Sequence, residues 1–259
     1  MQIAELARVV HGEPTQRPAL LIVHGLFGSA RNWGAIAKRM SNDRQVIAVD
    51  MRNHGSSPFA PVHDYPALAA DLAAVIESHG APMDVMGHSM GGKAAMWLAL
   101  SRPELLVRLI LADIAPVAYG HSQTHLIAAM RELDLTGLTD RRAADAALAA
   151  QIADPGVRAF LLQSLDLKAE PPRWRLNLDA LEAGMDGITG WPETEGLPPF
   201  EGKTLFLAGA ASDYVRPAYR PLIRAPFPQA VIARIPGAGH WLHAEKPREF
   251  EAALRAFLG

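Results

Sequence analysis

Ser89 stands in a Gly-x-Ser-x-Gly pattern that Gly87 and Gly91 complete. An apolar run precedes the pattern and a segment of helical composition follows it, which is the strand, sharp turn and helix of a nucleophile elbow. Glycines on both sides let the backbone adopt a strained turn, so that the serine hydroxyl projects from the carboxyl edge of a sheet. The pattern therefore predicts Ser89 as the nucleophile of a covalent hydrolytic reaction.

A serine hydroxyl needs a base to take its proton, and a nucleophile elbow is followed along the chain by an acid and then a histidine. His240 fits this order, because it lies in a glycine-rich loop directly after an apolar run. The competitor is His243, for which a structural role in the turn before the last helix is favoured. We therefore expect His240 to be the general base.

Two aspartates compete for the role of the acid that orients the imidazole. Asp113 follows the run VRLILA, and Asp213 follows the run KTLFLAG by a few residues. In the common arrangement the acid lies three residues past the glycine that ends the penultimate strand. That position is occupied here by Ser212, so Asp213 comes one residue too late. This register favours Asp113, with Ser212 as a hydrogen-bonding support of the carboxylate or imidazole and Asp213 as the alternative acid.

The tetrahedral oxyanion requires two backbone N–H groups that point at one place. The residue after the nucleophile, Met90, supplies the first, and a loop after an early strand supplies the second. That loop is HGLFG at 24–28, in which Leu26 is the predicted donor and Phe27 the alternative. Phe27, Met90 and Trp241 neighbour these groups in sequence and predict an apolar acyl pocket.

The elements that must hold these residues are short apolar runs with helical stretches between them. This alternation predicts parallel strands joined by helices, and runs that are apolar on both faces predict strands buried in a sheet. The runs are PALLIVHG at 18–25, RQVIAVD at 44–50, PMDVMGHS at 82–89, VRLILAD at 107–113, KTLFLAG at 203–209 and AVIARIPG at 230–237.

A gap of about ninety residues between Asp113 and Lys203 interrupts the alternation. The gap is alanine-rich, with helical patterning and turn signals such as Asp154-Pro155-Gly156. We therefore expect an inserted helical cap at 118–199 and a core formed by residues 1–117 and 200–259. The expected architecture is the α/β-hydrolase fold, with a mostly parallel sheet flanked by helices.

Composition excludes several classes of protein. The 259 residues carry a formal net charge of -2, which offers no electrostatic footprint for nucleic acid. There is no cysteine, so disulfides, thiolate metal sites and thiol nucleophiles are excluded. No segment approaches the length of a membrane span and no secretory signal is visible, so we expect a cytoplasmic protein without membrane partners. A monomer or a small homo-oligomer is expected.

Asp50, Arg52, His54 and Gly55 look like an acid–base cluster. They lie at a strand-to-loop bend, however, where such groups commonly tie turns together, and a structural role is predicted. The ten histidines form no HExxH motif, and HGLFGS lacks the GxGxxG spacing of a dinucleotide site. No metal and no cofactor are therefore expected.

Several segments occur together in order: HGLFGS, DMRNHGSSP, GHSMGGK, LADIAP, WRLNLDAL and GAGHWLHAEKP. With them the chain resembles, over nearly its whole length, the YbfF-type bacterial esterases of the α/β-hydrolase superfamily and their mitochondrial abhydrolase relatives. The resemblance implies an esterase for short acyl esters without a cofactor, a small helical cap, and an acid after the sixth strand, which supports Asp113. Asp213 is not part of the pattern of this subgroup.

The leading hypothesis is a serine esterase that hydrolyses short to medium acyl esters of small molecules through an acyl-serine intermediate. An acyl-CoA thioesterase is the alternative, motivated by arginines that would face phosphates if they gathered at the cavity mouth. A hydrolase-fold protein that binds a small ligand with little turnover is the third reading. The arginines in question are Arg31, Arg173, Arg175, Arg216 and Arg220.

Overall fold

The strands come from short runs rich in Val, Ile and Leu, as expected for a buried sheet. In residues 2–259, which the computed structural model describes, they are β1 (Arg8–His11), β2 (Leu20–Val23), β3 (Val46–Val49), β4 (Met83–His88), β5 (Leu106–Ala112), β6 (Leu165–Asp166), β7 (Arg173–Trp174), β8 (Lys203–Gly209) and β9 (Ala230–Ile235). One sheet has the order β1-β3-β2-β4-β5-β8-β9, with β1 antiparallel to β3 and the other neighbours parallel. The strands β6 and β7 form a separate antiparallel ribbon.

Each of the six predicted runs contains one parallel strand of this sheet. The edge strand β1 was not predicted, because its residues are largely exposed and form no apolar run of the kind that marks β2 and β3, which are equally short. The expectation that all six strands are buried on both faces is wrong for β9, an edge strand in which Val231 is 58% exposed. The strand that leads to Asp113 is β5, the fifth in chain order here rather than the sixth of the resemblance.

Helices cover both faces of the sheet, so the predicted α/β class with a mostly parallel sheet is confirmed. They are α1 (Gly34–Met40), α2 (Tyr65–His79), α3 (Met90–Ser101), α4 (Thr124–Glu132), α5 (Arg141–Leu148), α6 (Pro155–Leu161), α7 (Leu178–Ala183), α8 (Met185–Thr189), α9 (Arg220–Arg224), α10 (Leu242–Glu245) and α11 (Pro247–Leu258). Short 3-10 turns occur at Ala30–Trp33, Pro103–Leu105, Leu162–Ser164 and Pro217–Tyr219. Apolar side chains of α2 and α3 share one core cluster, and those of α1 and α11 share another.

Residues 118–199, called the insert below, contain α4 to α8 and the β6–β7 ribbon. The insert is therefore not purely helical; two-residue strands leave no periodicity that a sequence pattern could reveal. Its apolar side chains form a third core cluster, which also includes Phe27 from the loop after β2. The insert is thus packed directly against the carboxyl edge of the sheet.

Candidate active site

Backbone strain is concentrated along the carboxyl edge of the sheet. In residues 2–259, the non-glycine residues with positive φ are Phe27 (63°), Asn53 (66°), Ser89 (52°) and Asp113 (49°). They follow β2, β3, β4 and β5, which are neighbours in the sheet. Conformations of this kind cost about 1–3 kcal/mol each and persist only where the surroundings fix them, often at functional sites.

Ser89 occupies a sharp turn between β4 and α3, with φ 52° and ψ −120°. The turn is closed so tightly that a Cβ on Gly87 would lie 2.3 Å from the backbone oxygen of Gly91. A Cβ on Gly91 would lie 2.4 Å from the backbone oxygen of His24. The two glycines of the motif are therefore required by close backbone approach, which is the physical reason for the spacing.

The carboxylate of Asp113 is fully buried and accepts three hydrogen bonds. Its Oδ2 atom lies 2.8 Å from His240 Nδ1 and accepts from the hydroxyl of Ser212 at 2.5 Å. Its Oδ1 atom accepts from the backbone N–H of Gly209 at 2.9 Å. These contacts fix the direction of the carboxylate towards the imidazole.

Asp213 is not brought to the imidazole. Its side chain is 88% exposed and lies 3.8 Å from the guanidinium of Arg216. The neighbouring Ser212 turns inward instead and reaches Asp113. Of the two candidate acids, the structure brings Asp113 together with His240.

His240 is held by three contacts. Nδ1 of the ring is hydrogen-bonded to Asp113. The ring also stacks on that of Tyr214, with 4.0 Å between ring centroids and 21° between planes. Its backbone oxygen accepts a hydrogen bond of 2.9 Å from His88 Nε2. Because the Nδ1–H group donates a hydrogen bond to Asp113, Nε2 is the unprotonated nitrogen that can accept a proton. His240 and Ser89 line the same cavity.

The loop at 24–28 lies against the nucleophile, since a Cβ on Gly25 would be 3.2 Å from Ser89 Cβ. The backbone N–H of Phe27 donates to His54 Nε2 at 3.1 Å, which removes this alternative oxyanion donor. Across residues 2–259, the backbone N–H groups of Leu26 and Met90 have no acceptor within the protein. Leu26 and Met90 are therefore free to donate to a bound oxygen.

Two neutral histidines fix the shape of this loop. His54 accepts from Phe27 and donates from Nδ1 to the backbone oxygen of Arg52 at 2.9 Å. His24 accepts from the backbone N–H of Met51 at 2.9 Å and donates to the oxygen of Gly25 at 2.8 Å. Burial lowers the pKa of His24 to about 4 and that of His54 to about 3, so both rings stay uncharged at neutral pH.

The rest of the bend after β3 also ties turns together, as predicted. Asp50 accepts from the backbone N–H groups of Ala30 and Ser56, at 2.7 and 2.8 Å. Arg52 is buried and pairs with Asp71 through two hydrogen bonds. None of these contacts leads to the nucleophile.

His243, the competing base, does not reach Asp113. Its ring stacks on Trp33 at 3.8 Å between centroids, and burial lowers its pKa to about 4. Burial also holds the pKa of His63 and of His88 well below the usual range. Four buried neutral imidazoles and the half-buried ring of His243 therefore lie behind the site, and His88 supports the backbone of His240.

A cavity of about 290 Å³ opens at Ser89 and His240. Phe27 and Trp241, the predicted pocket residues, both line it. The insert contributes further apolar walls, which are Leu126, Val157, Phe160 and Ile188. The cavity is near the lower end of the size range of small-molecule pockets and suits an apolar acyl group.

The insert is attached to the loops beside the site by specific hydrogen bonds. Asn177 donates from its backbone to Asn53 O and from Nδ2 to Asn53 Oδ1, both at 3.0 Å. Ser164 donates to the backbone oxygen of Phe27 at 2.9 Å. The motifs RNHG and WRLNL, noted separately in the sequence, thus contact each other in space.

Lys93 is a functional candidate that the sequence reasoning missed. It lines the cavity, its side chain is buried, and Nζ donates to the backbone oxygens of Thr189, at 3.0 Å, and Gly190. Burial lowers its pKa to about 7. A signal was present, because Lys93 is the one charged residue in the sequence of α3, MGGKAAMWLALS.

The arginines that motivated a thioesterase do not gather at the cavity. None of the five lines it. Arg175 pairs with Asp166 and Arg216 with Asp213, while Arg31 lines a separate cavity. Arg216 also lines a neighbouring cavity that contains His240. A single arginine beside the site is not the cluster of arginines that motivated the thioesterase reading.

Residues 2–259 contain neither a metal-binding cluster nor a membrane-spanning helix. No three His, Asp or Glu side chains are grouped so that they could hold a metal ion. None of the helices there is both long enough and apolar enough to cross a membrane.

Comparisons with known proteins agree along nearly the whole chain. Residues 20–253 match a family described as the alpha/beta hydrolase family. The chain is 42% identical over 250 residues to the sn-1-specific diacylglycerol lipase ABHD11 of Mus musculus, covering 93% of this chain and 81% of the relative. It is 40% identical over 242 residues to esterase YbfF of Escherichia coli, covering 92% of each chain.

A solved structure gives the same result. A structure described as a marine microorganism esterase superposes with a TM-score of 0.92 and 37% sequence identity. The superposition covers 98% of this chain and 99% of that one. Fold and sequence are therefore similar to those of proteins named as esterases or lipases.

Proposed function

The chain belongs to the alpha/beta hydrolase family and is a carboxylic ester hydrolase, and from that premise we propose that it acts through an acyl-serine intermediate. In this proposal Ser89 is the nucleophile, His240 the general base and Asp113 the acid that orients it. The substrates are short to medium acyl esters of small molecules. The observation that carries the proposal is the hydrogen-bond chain from Ser212 through the buried carboxylate of Asp113 to His240, which ends at the cavity that Ser89 lines.

Acylation begins when Oγ of Ser89 attacks the carbonyl carbon and Nε2 of His240 takes the hydroxyl proton. The imidazolium that forms is stabilised by Asp113, which accepts the Nδ1 proton in a hydrogen bond without taking it. The carbonyl oxygen becomes an oxyanion that the N–H groups of Leu26 and Met90 receive. Collapse of this intermediate transfers the proton from His240 to the leaving alcohol.

Deacylation repeats these steps with water. Nε2 of His240 takes a proton from the attacking water, and the second oxyanion is received by the same two N–H groups. Collapse releases the carboxylic acid and returns the proton to Ser89. Asp113 must hold the imidazole of His240 in one orientation through acylation and deacylation, and its three hydrogen bonds support this role.

We propose that residues 118–199 act as a cap over the acyl group. Support comes from the apolar insert side chains in the cavity wall, opposite Phe27 and Trp241. The name of the Mus musculus relative adds diacylglycerol to the substrates worth assaying. A cytoplasmic location, the lack of nucleic-acid and membrane partners, and a monomeric or small homo-oligomeric state remain predictions, which fractionation and sedimentation would test.

The test is a chain-length series of p-nitrophenyl esters on wild type and on Ser89→Ala. We expect the substitution to lower kcat by at least about 10⁴-fold, because the other groups have no nucleophile to activate. Ser101→Ala, at the end of the same helix, is the matched control and should retain wild-type rates. Equal hydrolysis by wild type and Ser89→Ala would overturn the proposal, whereas labelling of Ser89 alone by a fluorophosphonate would support it directly.

A further inference from the structure

The amino group of Lys93 is buried without an acidic partner. The side chain is 1% exposed, and Nζ contacts two backbone oxygens at the end of α8, those of Thr189 and Gly190. Within residues 2–259, Lys93 forms no ion pair. Buried charges in proteins are usually paired, so this arrangement requires an explanation.

The surroundings of the ammonium do not supply the missing charge. The ring of Tyr119 lies 4.7 Å from Nζ and that of Tyr65 lies 5.7 Å away. Both hydroxyls are engaged, since Tyr65 donates to Ile188 O at 2.5 Å and Tyr119 to Tyr214 O at 2.8 Å. Ring faces attract a cation but neutralise none of its charge, and burial alone lowers the pKa of Lys93 to about 7.

The position of Lys93 directs its charge to the substrate cavity. Ser89 is the N-cap of α3, and Lys93 lies in the first turn of that helix, where its backbone N–H donates to the backbone oxygen of Ser89 at 3.1 Å. Helical side chains lean towards the helix N-terminus, which here is the nucleophile. Lys93, Tyr65, Tyr119 and Thr189 all line the cavity that contains Ser89.

We propose that Lys93 is the receptor for an anionic group at the far end of the acyl chain, so that the enzyme prefers monoesters of short dicarboxylic acids. The inference rests on the proposed esterase function and names its substrate class. Two of the three ammonium protons are given to backbone oxygens, and the third remains for the ligand. A carboxylate supplies the counterion that the protein lacks, while the methylene groups of the acyl chain contact the apolar walls.

A fixed distance between the charge and the nucleophile predicts selectivity for chain length. Ser89 lies in the strained turn that caps α3, Lys93 lies in the first turn of the same helix, and Nζ of Lys93 is further held by the end of α8. A carboxylate that is too close or too far from the scissile carbonyl therefore loses the ion pair. Among succinyl, glutaryl and adipyl esters, one length should be clearly preferred.

The experiment compares phenyl hemiesters of these three acids with esters of equal length that end in an isopropyl group, the uncharged isostere of a carboxylate. In wild type, kcat/KM should favour the hemiester of the best length by about ten- to hundredfold, the size of a charged hydrogen bond. In Lys93→Met the preference should vanish or invert. The ratio is taken within each variant, so a general loss of activity cancels. Lys168→Met, an exposed lysine of the insert, is the matched control and should keep the ratio.

A second measurement needs no variant. Alkylboronic acids that bond to the nucleophilic serine should inhibit wild type about tenfold or more strongly when the chain ends in a carboxylate than in an isopropyl group. Equal inhibition, or a hemiester preference unchanged in Lys93→Met, would overturn the inference. Failure of the proposed function looks different: neither class of ester would be hydrolysed by wild type.

Discussion

The two walls of the substrate cavity are built in different ways. On the core side, Ser89 and Asp113 are set by strained backbone at strand ends and by buried hydrogen bonds. On the insert side, apolar side chains such as Val157 and Phe160 line the cavity, and positive φ within the insert occurs at glycines. The core wall thus holds individual catalytic groups in fixed positions, whereas the insert wall contributes an apolar surface for the substrate to contact. Chemistry is expected to depend on the first and substrate choice on the second.

The sharpest test of the core wall is Asp113→Asn. The amide favours the wrong imidazole tautomer, so kcat should fall by about 10⁴-fold with the fold intact. Asp213→Asn is the matched control one loop away and should stay within about twofold of wild type, because its carboxylate is exposed. The reverse result would assign the acid to Asp213. Initial rates with p-nitrophenyl butyrate would decide.

His54→Leu tests whether the loop at 24–28 is held as rigidly as the elbow. Loss of the acceptor leaves the N–H of Phe27 unpaired and frees Leu26 to shift, so kcat should fall by about 10²-fold, as for a displaced oxyanion donor. KM should change little. His54→Gln keeps an acceptor and should recover part of the rate. A normal kcat in His54→Leu would show that the loop at 24–28 does not supply an oxyanion donor.

A smaller effect is expected from Ser212→Ala. The carboxylate of Asp113 keeps its bonds to Gly209 and His240 but loses the one from Ser212. One hydrogen bond to a charged group is worth about 1.5–3 kcal/mol when it is lost entirely, and a water can replace part of it here. We expect kcat to fall by about tenfold. A loss as large as that of Asp113→Asn would make Ser212 indispensable.

The mildest variant tests the insert wall. Asn177→Ala removes the side-chain bond to Asn53 and the N-cap of α7, so the free energy of unfolding should fall by about 1–2 kcal/mol. KM should rise a few-fold, with kcat nearly unchanged. Asp140→Ala removes a comparable cap from α5 without touching the core, and its KM should stay normal. A drop in kcat for Asn177→Ala would show that the insert wall, like the core wall, affects the chemical step.

The same contrast explains what could be predicted from the sequence. The elbow and the six parallel strands were found because their signals are local: glycines at fixed spacing and apolar runs between turns. Asp113 could be favoured by register and by the family resemblance, but not by geometry, since the inward turn of Ser212 and the outward turn of Asp213 depend on loop packing. The missing strand of the main sheet, β1, is largely exposed and so carries no apolar run, and the two-residue strands β6 and β7 are too short for a pattern.

Contacts between residues that are far apart in the sequence left no local sequence signal. The contact of Asn53 with Asn177 joins residues 124 positions apart, and that of Lys93 with Thr189 joins residues 96 apart. The RNHG and WRLNL segments were noticed, but nothing in either segment indicates its partner. Lys93 was missed although it is the one charge in an apolar helix, because its contact with the end of α8 is visible only in the folded chain.

Five neutral imidazoles have a lowered pKa, those of the buried His24, His54, His63 and His88 and of the half-buried His243, so the protein takes up protons when it unfolds in mild acid. Their pKa is lowered in the folded protein and returns to about 6.5 in the unfolded chain. Their contribution to stability is therefore complete above about pH 7 and is lost as the pH falls through 6.5, by about 1.4 kcal/mol per pH unit for each proton taken up. This enzyme should tolerate alkaline storage and denature at a pH where its carboxylates are still ionised.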